Sequence, residues 1–319
     1  MSTERLAIGL DVGGTKIAGG LVDPASGAVH DKVVVPTCAE HGSDAVLGTA
    51  ADLVRSLAES IVDRRSGVAV GVGVPELVDP DGRITSSYLL AWSREQVADA
   101  LARAVQPVPC VVRIEADVRA AALAEARFGA GRGHETFCYV TVGTGISCCL
   151  VQHGVPYTGA RGNALILVSP THRTRRDSAS PGDDGPDLLE TVAAGPALVE
   201  RYAELTNVRL PDARAVLSAA HAGDQPAMQV VRDAGEALGE ALAHLVNALD
   251  PAAVVVGGGL GSAGGLYVQA AIQRARDLIW APATRSLPIV RAELGADAGL
   301  VGAGLVAVAG PNDVTKSGP

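Results

Sequence analysis

The segment from Leu6 to Asp23, LAIGLDVGGTKIAGGLVD, sets two runs of β-type residues about a turn made of Asp11, Val12, Gly13, Gly14, Thr15 and Lys16. Two adjacent glycines carry no side chain above the turn and can take a positive φ, so backbone N–H groups there can approach an oxyanion closely. Thr15 adds a hydroxyl, Lys16 a cation, and Asp11 at the strand end a carboxylate able to hold a magnesium ion through water. An ordinary hairpin also uses Gly-Gly, and the turn alone leaves both readings open. More than a hundred residues later the shape returns in Thr136 to His153, TFCYVTVGTGISCCLVQH, with Gly143, Thr144 and Gly145 at the turn. A repeated hairpin predicts two homologous lobes facing one cleft, each giving a loop to the phosphates of a nucleotide.

The 319 residues exceed the usual size of one core, as two lobes require. After the first hairpin, Lys32 to Pro36 reads as a strand, Asp44 to Arg64 as a helix and Val68 to Pro75 as a buried strand. Strand, strand, strand, helix, strand is the order of half of an actin-like, ribonuclease-H-like lobe. A helix at Arg94 to Val105, a strand at Cys110 to Ile114 and an alanine-rich helix at Val118 to Phe128 follow. The polar, proline-punctuated residues Ser169 to Asp187 read as an exposed excursion. Helices are expected at Leu188 to Leu205, Pro211 to His221, Ala227 to Leu249 and Tyr267 to Leu278. Between the last two, Ala252 to Gly259 is a strand ending in Gly257, Gly258 and Gly259, a loop against which an adenosine can lie and equally a structural turn. Leu287 to Ala309 gives a strand and a helix of small residues. The expected fold class is α/β, two actin-like lobes with mixed sheets flanked by helices: a small N-terminal lobe, 1–117, completed by a C-terminal helix at about 297–312, and a large lobe, 118–296.

A net charge of −9 without a basic cluster excludes nucleic acid as the expected partner. Lys16 is one of only three lysines beside 23 arginines. No apolar run reaches the ~20 residues of a membrane span, and the start MSTERLAIGL lacks a signal-peptide profile, so a cytoplasmic protein is expected. Five cysteines form no C-x-x-C pair and are expected as buried thiols without a disulfide.

The chain resembles the ROK family of bacterial sugar kinases and sugar-sensing repressors, part of the actin-like ATPase superfamily. Four stretches carry the resemblance: Asp11 to Lys16, Ala116 to Glu125 (ADVRAAALAE), Val142 to Ile146 (VGTGI) and Leu294 to Gly304 (LGADAGLVGAG). It implies ATP with magnesium, bound around Gly13, Gly14, Thr15, Gly143, Thr144 and Gly145, and a general base at Asp117. A carboxylate there would take the proton of an alcohol as the γ-phosphoryl group arrives; an Asp at the N-cap of the following helix is the structural alternative. The resemblance also suggests a homodimer. The repressors carry a DNA-binding segment ahead of the kinase-like fold, and none is expected here, since the phosphate hairpin begins by residue 7.

Departures from the family bear on the acceptor. The Asn usual before the catalytic Asp is Ala116, and the Glu-x-Gly-His sugar motif falls on Asn163, Ala164, Leu165 and Ile166. The family's zinc motif falls on Pro181 to Leu188, PGDDGPDL, without a cysteine, so no zinc site is expected, and His172 reads as a solvated loop histidine. Glu190 keeps the family's place for a hydroxyl acceptor, or is an ordinary acid in a first helical turn. The expected function is an ATP-dependent kinase acting on a hydroxyl of a sugar-like polyol. A C7-cyclitol of the valiolone or validone type, as in aminocyclitol antibiotic biosynthesis, or another modified sugar is preferred to glucose. Glucokinase or N-acyl hexosamine kinase activity, and a catalytically silent sugar-binding protein, are the alternatives.

Overall fold

The computed structural model describes residues 6–61, 67–164, 167 and 189–309. They divide into two compact units: the described residues of Met1–Glu135, Cys149–Ala164 and Ala296–Pro319, and those of Thr136–Cys148 and Leu165–Gly295. The boundary expected after Asp117 falls inside the first unit, because the helix beginning there packs along the C-terminal helix.

In the first unit β1 (Ala7–Val12), β2 (Lys16–Val22), β3 (Val29–Pro36), β4 (Val68–Val74) and β5 (Cys110–Ala116) form a mixed sheet in the order β3-β2-β1-β4-β5. Helices α1 (Ser43–Ser60), α2 (Arg94–Ala104), α3 (Asp117–Phe128) and α10 (Ala298–Val308) cover it. The side-chain period of two assigns the faces. In β4, VAVGVGV, Val68, Val70, Val72 and Val74 join Ile8, Leu10 and Val12 of β1 in a core closed by Leu53, Val54 and Leu57 of α1. The alternate positions are small, and they receive α10: a Cβ on Gly71 would stand 1.8 Å from Ala303 O. On its other side α10 meets α3, where a Cβ on Gly302 would stand 1.9 Å from Ala120 O. The small residues of AGLVGAGLVAV thus bring helix backbone onto sheet backbone, which no larger side chain would allow.

The second sheet runs β10 (Ile289–Arg291), β9 (Ala253–Gly257), β6 (Thr136–Val142), β7 (Ile146–Gln152), β8 (Val155–Pro156), and the division between units falls within β7. The remaining helices are α4 (Glu190–Ala193), α5 (Gly195–Thr206), α6 (Ala213–His221), α7 (Gln225–Leu249), α8 (Gly258–Ala263) and α9 (Gly265–Leu278). The long α7 is capped by Asp224, whose carboxylate accepts from Ala227 N at 2.8 Å, and it packs along α9.

Two expected elements are corrected. The helix read from Leu188 to Leu205 is broken at Ala194, which is extended, since Pro196 has no N–H to continue a helix from α4 and instead opens the first turn of α5. The glycine triplet is not an open turn, because Gly258 begins the short helix α8. No disulfide joins the five cysteines; Cys138, Cys148 and Cys149 are buried as expected, whereas Cys38 and Cys110 are only half-buried. Among the described residues no helix is long and apolar enough to cross a membrane.

Candidate active site

Three strands of the first sheet place a row of residues on the face that meets α10: Asp11 of β1 is paired with Gly73 of β4, and Gly73 with Glu115 of β5. The glycine in the middle makes room for the start of α3. A Cβ on Gly73 would lie 3.5 Å from Asp117 Cα and 3.7 Å from Asp11 Oδ1, so the two aspartates are neighbours across it. Asp11 also lies against the first turn of α10, where a Cβ on Gly299 would stand 2.5 Å from its Cγ. A helix N-terminus favours a carboxylate at that point.

Asp117 is the first residue of α3 and not its N-cap; Ala116 holds the cap position without a side-chain bond. The Asp117 carboxylate accepts from Val118 N at 2.6 Å, and the residue as a whole is half-buried. Surrounding protein nevertheless raises its pKa to about 7, through desolvation first, then repulsion from Asp11, with a smaller contribution from Glu76; the Val118 bond and the Arg119 cation oppose the rise. Desolvation raises Asp11 to about 6 against the attraction of Lys16. The result is a pair of acids whose protons are held near neutrality.

The first glycine turn is tied down on both sides. Gly13 N donates to Lys16 O at 2.9 Å, Thr37 N to Thr15 O at 3.1 Å, and Thr37 Oγ1 to Gly13 O at 2.7 Å. Gly13 does not use the positive φ open to a glycine. Its lack of a side chain matters for space, since a Cβ would sit 3.2 Å from Lys16 O. Gly14 is half-buried, while Thr15 and Lys16 are exposed.

The second unit gathers the other glycine residues. Gly143 N donates to Gly145 O at 2.9 Å, and Gly195 N at the start of α5 donates to Gly143 O at 2.8 Å. The triplet packs against the same turn: Gly258 has φ +77, and a Cβ there would stand 2.4 Å from Val142 O, while Gly259 N lies 4.0 Å from the place of a Gly143 Cβ. Gly257 is the last residue of β9, and Thr144 is exposed. Glu190 joins this cluster, accepting from Ile146 N at 3.3 Å and lying 2.8 Å from the place of a Gly145 Cβ. Gly143, Thr144, Gly145, Gly258, Gly259 and Glu190 are therefore one local group.

Of the residues expected to meet the acceptor, Ala116 is buried and Asn163 exposed. Leu165, Ile166 and residues 168–188, with His172 and the segment matching the zinc motif, lie outside the described residues. Elsewhere, Cys38, Glu40 and His41 bring possible ligand atoms within 4.8 Å of one another just after β3.

Sequence reasoning missed Gly73, Glu76, Arg119 and Gly299. The Val-Gly alternation of β4 held the signal for Gly73. For Arg119 it was the four-residue spacing from Glu115 across a strand–helix junction. Glu76 is buried, and its carboxylate accepts from Tyr88 N at 2.9 Å, Leu89 N at 2.7 Å, Leu90 N at 2.8 Å and the Ser86 hydroxyl. One side chain thereby holds the loop after β4 close to Asp117.

Residues 7–309 match the sequence profile described as the ROK family. A glucokinase of Thermotoga maritima is 30% identical over 314 residues, spanning 93% of this chain and 95% of the relative. A ROK hexokinase structure from Thermus thermophilus is similar at 34% identity and a TM-score of 0.73, over 95% of this chain and 97% of that one. A ROK family glucokinase from Streptomyces griseus, solved in complex with glucose and AMPPNP, is similar at 29% identity and a TM-score of 0.78, over 94% and 98%. With the family profile matched from the first strand of the glycine hairpin to the end of α10, the chain belongs to the ROK family.

Proposed function

We propose that the protein is an ATP-dependent kinase that phosphorylates a hydroxyl of a sugar or sugar-like polyol, with Asp117 as general base. The observation that carries the proposal is the Asp11–Asp117 pair at the N-terminal ends of α10 and α3, with Asp117 near pKa 7. A base works best when its pKa lies near the working pH. Asp117 would accept the acceptor hydroxyl's proton as its oxygen attacks the γ-phosphorus, and ADP would leave with the electrons of the broken bond. The AMPPNP complex of the Streptomyces griseus relative supports ATP as donor.

The residues fit a divalent cation, because two adjacent carboxylates, both raised toward neutrality by burial and Asp117 further by repulsion from Asp11, are relieved by positive charge. Asp11 would hold magnesium through water, and the ion would neutralise phosphate charge as it develops. Gly13, Gly14, Thr15, Lys16, Gly143, Thr144, Gly145 and the Gly257–Gly259 segment are the residues proposed to bind the nucleotide. Glu190 would accept a hydroxyl of the acceptor. A homodimer is proposed from family resemblance and is checked by light scattering.

For the acceptor, a C7-cyclitol or modified sugar is proposed ahead of glucose. A site that binds ring hydroxyls discriminates by polar side chains, and buried Ala116 offers none beside Asp117. Glucose itself is the second reading, favoured by the glucokinase relatives. An ADP-release screen with magnesium-ATP over hexoses, N-acyl hexosamines and C7-cyclitols decides between them. Glucose as the best acceptor would overturn the reading of Ala116, and no ADP release with any acceptor would overturn the kinase.

A further inference from the structure

Arg119 is the only buried basic side chain among the described residues, and every side of its guanidinium is used. Nε donates to Glu115 Oε1 at 2.7 Å, and Nη2 lies 2.5 Å from the same oxygen. Nη1 donates to Gly162 O at 3.0 Å and Nη2 to Val78 O at 2.6 Å. Val78 follows β4 and Gly162 follows β8, two segments far apart in sequence. Their meeting is specified a second time by Gly162, which has φ +79 and whose Cβ would stand 2.0 Å from Val78 O. The Glu115 carboxylate also accepts from Ala116 N at 2.8 Å, fixing the residue before Asp117.

A buried ion pair is a poor device for stability alone, because an apolar pair of similar volume does as well or better. An apolar pair cannot hold two carbonyls from two loops at a set distance from one helical turn. Asp117 and Arg119 share the first turn of α3. The loop after β4 is also the one that Glu76 holds, and Glu76 is near enough to act on Asp117 electrostatically.

We infer that Arg119 is a positioning residue for the acceptor: its fork fixes the loop at Val78 and the loop carrying Gly162 and Asn163 against the turn that carries Asp117. It does not touch the reacting atoms. The inference deepens the proposed function and rests on the assignment of Asp117 as base. Lysine keeps the charge opposite Glu115 but is a point donor without the planar fork, so Arg119→Lys separates position from charge.

The test uses the full chain, with Arg119→Lys and Gly162→Ala as independent perturbations of the same junction. Hydrogen exchange should quicken in peptides spanning 76–80 and 159–164 and stay unchanged across Gly13–Lys16. In the acceptor screen, glucose included, Arg119→Lys should raise the acceptor KM about tenfold or more, as misplacement of a bound reactant does. The ATP KM and the midpoint of the pH profile should hold. Unchanged exchange in both loops overturns the inference. So does an acceptor KM within about twofold of wild type, or an equal rise in both KM values. Wild-type protein that phosphorylates nothing in the screen defeats the proposed function and not the clamp, which the exchange measurement still decides.

Discussion

At the scale of single residues the site turns on Asp117, whose environment can be resolved into neighbours with opposite effects. Burial, Asp11 and Glu76 hold its proton; Val118 N–H and Arg119 release it. If it is the base, it must be unprotonated to act. The kcat/KM for the acceptor should therefore rise with pH through a midpoint near 7 in ligand-free enzyme, where free-enzyme ionisations are read. Asp117→Asn should lower kcat by about 10² or more and abolish that midpoint, while ATP affinity, measured by calorimetry, stays near wild type. A variant with full turnover would remove Asp117 from the mechanism. The acid itself was legible in the sequence from its motif, but its setting was not. Glu115 pairs with a helix residue across a strand end, and Gly73 matters only once β4 is laid between β1 and β5.

At the scale of elements, strands and helices were legible where their period ran uninterrupted, as in β4, α7 and the two glycine hairpins. They were misread where one residue decided, as at Pro196 and Gly258. What periodicity could not give is which glycines bear packing. Gly48 sits inside α1 with nothing within 4 Å of an added Cβ, whereas Gly71 in β4 faces α10 at 1.8 Å. The same substitution should thus have opposite signs. Gly48→Ala should stabilise by about 0.5–1 kcal/mol, because alanine loses less backbone freedom in a helix. Gly71→Ala forces α10 off the sheet and should cost about 3 kcal/mol or more, at or above the upper end of overpacking penalties. Urea midpoints of the two variants give the comparison, and a neutral Gly71→Ala would mean that α10 does not rest on the sheet as described.

At the scale of the whole molecule, two lobes with mixed sheets were legible because the hairpin repeats. The division was not, since α3 joins the first unit through contacts with α10 that no local pattern announces. The same packing has a consequence for stability. Asp11 and Asp117 have folded-state pKa values of about 6 and 7, above the ordinary carboxylate value near 3.8 that the unfolded chain shows. Between those limits the folded state binds more protons than the unfolded state, so stability falls as pH rises through the window and is not regained above pH 7. Growing negative charge above the pI of 5.3 acts in the same direction over the whole surface, and a control must separate the two. Asp117→Asn removes the buried charge, whereas Asp99→Asn removes one from the exposed surface of α2. Buried Trp92 reports on the first unit, while Trp280 is already 85% exposed in the fold and changes little on unfolding. In ligand-free protein unfolded by urea and followed by fluorescence, Asp117→Asn should be more stable than wild type at pH 8 and nearly equal to it at pH 4. Asp99→Asn should track wild type at both. Magnesium held at Asp11 would recover part of the lost stability at pH 8 by favouring the ionised pair. That recovery should disappear in Asp11→Asn; its persistence would place the ion elsewhere.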